Sequence, residues 1–167
     1  LSLVLAAVGA TVAALIQATV LPFTAEGGGL DLVLVVAIVW TMALGLEGGF
    51  VWAFLGGLVI DILLMRPLAL TAFIDLLAVG AAWLVGRLAA RALYPAIVAT
   101  ALVTSAVATP ASVVLCQALR GVPPGVDPLA GVAVSAFHAA IAAAVIAPPA
   151  LLIASKRRSH EAERVDW

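Results

Sequence analysis

Between Gly45 and Leu70 the chain reads GLEGGFVWAFLGGLVIDILLMRPLAL, apolar enough for a bilayer yet holding five glycines, Asp61 and an Arg66-Pro67 stop. On a helix Gly49, Ala53 and Gly57 recur every fourth residue and share a face, with Gly56 beside them. Small residues at that spacing let two backbones approach closely, the way helices pack where lipid removes the hydrophobic drive to associate. Each glycine raises the cost of the helix by up to about 1 kcal/mol relative to alanine, and dense backbone packing offsets that cost. The spacing therefore predicts a helix whose small face receives another helix. Asp61 lies one turn further along, where a carboxylate at mid-bilayer costs ~2.5–3.5 kcal/mol unless it meets protein, water or a headgroup.

The rest of the chain shares this character. Hydrophobic residues make up 65% of it and charged residues 10%. Soluble domains average about 25% charged residues, so this composition indicates an integral membrane protein. A net charge of −1 leaves no basic stripe for nucleic acid. The single Cys116 excludes an intrachain disulfide and a cysteine-rich metal site.

Apolar runs divided by charges, glycine and proline predict an all-α bundle of six transmembrane helices, near 1–21, 30–46, 48–64, 68–86, 96–119 and 129–154. The first run lacks a basic n-region and is too long for a cleavable signal. The links PFTAEGGG and RGVPPGVD read as loops, with Asp127-Pro128 as N-cap and first position of the sixth helix. Pro110 is expected to kink the fifth helix, and Pro148-Pro149 to bend or break the sixth. Residues 155–167 read as a polar tail, frayed or interfacial.

With six spans both termini share a side. Lys156, Arg157, Arg158 and Arg164 join Arg87 and Arg91 on it, leaving Arg66 and Arg120 opposite. The positive-inside rule makes that side cytoplasmic, and Trp52, Trp83 and Tyr94 fall near its rim as an aromatic belt. Trp40 lies deeper, between helices.

Five polar residues inside the spans carry the functional question. Asp31 opens the second helix, where a carboxylate suits the N-terminus. Asp61 is either a structural contact with Arg66, if the helix ends between them, or a partner-facing group. Asp75 lies about two turns into the fourth helix with no Lys or Arg in the adjoining spans; it is protonated, hydrogen-bonded or open to water. Gln17 suits an interhelical hydrogen bond. His138 is a further buried polar candidate, without the convergent ligands of a zinc site. No nucleophile triad, phosphate loop or cofactor motif appears, which points away from an enzyme.

From Leu30 to Gly86 these residues resemble MreD, the rod-shape-determining membrane protein family of the bacterial elongation machinery. The resemblance rests on Asp31-Leu32, the Gly-rich turn from Gly45 to Gly49, Phe54-Leu55-Gly56-Gly57-Leu58, Asp61-Ile62-Leu63 and Arg66-Pro67-Leu68. The chain departs from the family pattern at Leu64-Met65, where Ser-Gly is expected, and at Ala69, where Gly is expected. The resemblance implies a non-enzymatic scaffold of the inner membrane, supporting peptidoglycan synthesis and rod shape. Its partner would be a single-span MreC-like protein and, through it, a RodA-type glycosyltransferase and a class B penicillin-binding protein. Gly57, Asp61 and Arg66, at the outer end of the third helix, are then expected to meet the partner, and Gly49 to pack internally. The family's fold also resembles the six-helix substrate-binding component of energy-coupling-factor vitamin transporters, the alternative reading. Ala6, Ala10 and Ala14 would then form the docking stripe of the first helix.

Overall fold

The computed structural model describes residues 2–20, 29–120, 127, 129 and 131–165. The described residues form six α-helices and no strand: α1 (Ser2–Val20), α2 (Leu32–Leu44), α3 (Leu46–Leu63), α4 (Leu70–Leu88), α5 (Leu93–Arg120) and α6 (Val132–Val165). A short 3-10 turn, Ala90–Ala92, joins α4 to α5. Helices satisfy every backbone group within one segment, the requirement that lipid imposes on an apolar chain. Four of them, α3 to α6, are long and apolar enough to cross a membrane; the apolar segments Val4–Thr19 and Leu32–Leu44 are shorter.

The hub is α2. Nine of its thirteen residues are buried, and it touches each of the other five α-helices. At 1.5 Å per residue it spans about 20 Å, well short of a ~30 Å hydrocarbon core. Its ends are fixed differently. Asp31 caps the start by accepting from the Leu34 N–H at 3.1 Å. Gly45 alone links α2 to α3, with φ at +117°, a conformation that favours glycine.

Two apolar clusters meet on α2. One joins Leu34, Ile38 and Val39 to Ala78 and Ala82 of α4, Ile97 and Ala101 of α5, and Ala139 and Ala143 of α6. The other joins Val33 and Ala37 to Ala6, Ala10 and Ala14 of α1 and to Trp52, Ala53 and Ile60 of α3. The small face of α3 is thus filled from inside the protein. A Cβ on Gly49 would strike Thr41, and one on Gly56 would strike Val33, both on α2. A Cβ on Gly57 would lie 2.5 Å from Cα of Ala72 on α4.

Several expectations change. Gly57 packs against α4, so it offers no surface to a partner. Trp52 belongs to the core and not to a rim belt: it is buried, its ring 5.8 Å from that of Trp40 and pressed against Gly9. Trp83 and Tyr94 are exposed near the Arg87 end of the bundle, with Arg87 stacked 4.9 Å over the Trp83 ring. Helix α5 opens at Leu93 and runs unbroken through Pro110. Helix α6 passes through Pro148 and Pro149 without a break and continues to Val165, so the tail extends the helix. Asp127 does not cap α6, which starts at Val132; its side chain accepts from the Leu129 N–H at 2.9 Å, closing a local turn. The expected loops at 22–28 and 121–126 lie outside the described residues.

Candidate functional site

The polar residues gather at one end of the bundle, where α1 finishes, α2 starts, α3 finishes and α4 starts. Gln17 is completely buried. Its Oε1 accepts from the Val33 N–H at 2.9 Å, and its Nε2 donates to Asp31 Oδ1 at 3.2 Å. One amide thus joins α1 to the first turn of α2, as the sequence suggested.

Asp61 is also fully buried, which overturns its reading as a partner-facing group. Both its carboxylate oxygens accept from the Thr71 N–H, at 3.2 and 3.1 Å. Ala69, the residue preceding α4, has no side chain able to cap, so a carboxylate from the end of α3 satisfies that orphan amide instead. The five-residue step from Asp61 to Arg66 is a backbone relation. The Arg66 N–H donates to the Asp61 carbonyl at 2.8 Å and the Met65 N–H to that of Ile62 at 3.3 Å. This is the paired closure of a helix whose next residue turns left-handed, and Met65 has φ +50°. Ala69, four residues on, has φ +68°.

Asp75 sits where the sequence placed it, deep in α4 and 1% exposed. Neither of its oxygens meets a hydrogen-bond partner, and the buried hydroxyls of Thr71 and Ser105 are equally unpaired. All three line one cavity of about 50 Å³, together with Asp31, Arg66, Thr109 and Ser112. The cavity lies above the recessed start of α2, between α4 and α5. Thr71 and Asp75 are four apart and share a face of α4; Ser105, Thr109 and Ser112 do the same on α5. The sequence reading missed the α5 stripe. Its signal was present: hydroxyls at i, i+4 and i+7 inside an otherwise apolar span.

The hydroxyls differ in what they do. Thr109 donates to the Ser105 carbonyl at 2.9 Å and meets Ser135 of α6 at 2.9 Å, while Ser112 donates to the Thr109 carbonyl at 2.8 Å. Those are structural bonds. Thr71 and Ser105 hold their hydroxyls toward the cavity instead. His138, by contrast, is exposed beside Phe137 on α6 and takes no part, which corrects its reading as a buried polar group.

The described residues form an all-helical fold with four helices long and apolar enough to cross a membrane and a small polar chamber near one end. No family model, curated protein or solved structure matches the chain.

Proposed function

We propose that this chain is an MreD-like scaffold of the bacterial inner membrane, without enzymatic activity, that binds a single-span MreC-like protein and supports peptidoglycan synthesis. The observation that carries the reading is the backbone of the link between α3 and α4. Met65 and Ala69 are the only non-glycine residues with positive φ among those described. They are also two places where the chain departs from the MreD pattern, which has glycine there. Glycine adopts that conformation freely, whereas an L-residue is strained by about 1–2 kcal/mol. The link is therefore built to the geometry that the family's glycines would serve. Asp31 and Asp61, the two acidic positions of the resemblance, cap α2 and α4.

The vitamin-transporter alternative loses its main support. Ala6, Ala10 and Ala14 are fully buried against the protein's own helices, so the stripe is closed to a transporter partner. The polar chamber holds only about 50 Å³, and the larger cleft of about 350 Å³ between α4 and α5 is lined almost wholly by apolar side chains, without the convergent polar groups that orient a vitamin.

Affinity purification from native membrane tests the proposal. The expected companions are an MreC-like single-span protein together with a RodA-type glycosyltransferase and a class B penicillin-binding protein. Recovery of ATP-binding energy-coupling subunits in their place would refute it.

A further inference from the structure

We propose that the chamber between α2, α4 and α5 binds one small monovalent cation, sodium, through the Asp75 carboxylate and the Thr71 and Ser105 hydroxyls. Four buried oxygens face one cavity with no hydrogen-bond partner: two from Asp75 and one each from Thr71 and Ser105. An unpaired buried polar atom costs ~1–3 kcal/mol and a bare buried carboxylate more, so something bridges them. They make no hydrogen bond to one another, and their residues line a space of about 50 Å³, room for an ion and a little water.

The charge balance selects the class of occupant. Among the described residues, Asp31, Asp61 and Arg66 lie near enough to act electrostatically on Asp75. Asp61 has both oxygens engaged on Thr71, and Asp31 has one engaged on Gln17 and Leu34. Asp75 alone has neither oxygen engaged, and one positive charge matches that carboxylate. No three His, Cys, Asp or Glu side chains converge among the described residues, so a transition metal has no ligand set. Calcium takes about six to eight oxygen ligands, more than the four unpaired oxygens here supply. A proton on Asp75 would supply one donor and leave both hydroxyls unbridged. A sodium ion, a hard cation that oxygen ligands hold, can be shared between the carboxylate and the two hydroxyls that line the cavity.

The test uses the full chain in lipid nanodiscs, with thermal unfolding followed as sodium chloride replaces choline chloride at constant ionic strength. A ligand that binds only the folded state raises Tm with its concentration. The expected result is a Tm that climbs with the logarithm of sodium concentration. Asp75→Asn should abolish that dependence, and Ser105→Ala should shift it to about tenfold higher sodium, the equivalent of ~1.4 kcal/mol. If Asp75→Asn does not fold, Ser105→Ala and Thr71→Val carry the test, and an unchanged sodium midpoint in both overturns the proposal. A wild-type Tm that is flat in sodium but rises on acidification also overturns it, showing a protonated Asp75 with water. So does a sodium response that survives Asp75→Asn, which places the ion elsewhere.

Discussion

Replacing Gly57 by alanine adds one methyl group where α3 lies against the backbone of α4. The new Cβ would lie 2.5 Å from Cα and 2.6 Å from N of Ala72, where ordinary contact begins at 3.4 Å. Both obstructing atoms are backbone, so no rotamer change relieves the clash, and α3 and α4 must part by roughly an ångström. Overpacking of this kind costs ~1–3 kcal/mol, while the better helix propensity of alanine returns up to about 1. The net expectation is a loss of about 1–2 kcal/mol, or roughly 3–6 °C in Tm for a chain of this length. Gly80 on α4 is the internal control, because a Cβ there meets nothing within 4 Å. Gly80→Ala should therefore gain up to about 1 kcal/mol from propensity alone. Thermal unfolding of both variants in the same detergent reads the difference. If Gly57→Ala proved as stable as Gly80→Ala, the α3–α4 contact, and with it the internal filling of the small face, would be wrong.

Three further outcomes are expected. Met65→Gly and Ala69→Gly should each stabilise the protein by about 0.5–1 kcal/mol, the left-handed strain released exceeding the added freedom of the unfolded chain; a loss in thermal unfolding for both would deny the positive φ values. Gln17→Leu should cost about 1–3 kcal/mol by orphaning the Val33 amide. Gln17→Glu keeps that acceptor but sets a second carboxylate against Asp31, so its deficit in Tm should shrink as pH falls and a shared proton restores the donor; a deficit independent of pH would count against the contact. In intact cells, an impermeant thiol reagent should label cysteines placed at 24–29 and leave Ala89→Cys untouched, and labelling of the latter would refute cytoplasmic placement of the α4–α5 link.

Much of this architecture was legible in the sequence, because lipid-compatible helices announce themselves through long uncharged runs. Internal packing at Gly49, the carboxylate at the start of α2 and the Gln17 bond follow from local chemistry, and the sequence reading placed them correctly. What periodicity does not encode is which helix arrives. Gly57 and Asp61 were expected to face a partner; α4 reaches them because the link from Leu64 to Ala69 folds back tightly, a path set by left-handed turns at residues that rarely make them. Trp52 was assigned to a rim by its position along α3, but rotation about the helix axis turns it inward onto Gly9. The chamber itself needs α2, α4 and α5 together. Asp75 was suspected alone, while Thr71 and Ser105 gained meaning only when two helices brought them to one space.

The brevity of α2 bears on how such a chain enters a bilayer. A thirteen-residue apolar helix is too short to be held as a span by lipid alone, since spanning takes about 20 residues. Because Gly45 is its whole connection to α3, placing α2 in a bilayer is tied to placing the longer α3. In the fold α2 is surrounded by five neighbours, four of which follow it in the chain. Its burial is therefore completed only by α4, α5 and α6, and the polar chamber cannot close before α5 has been made.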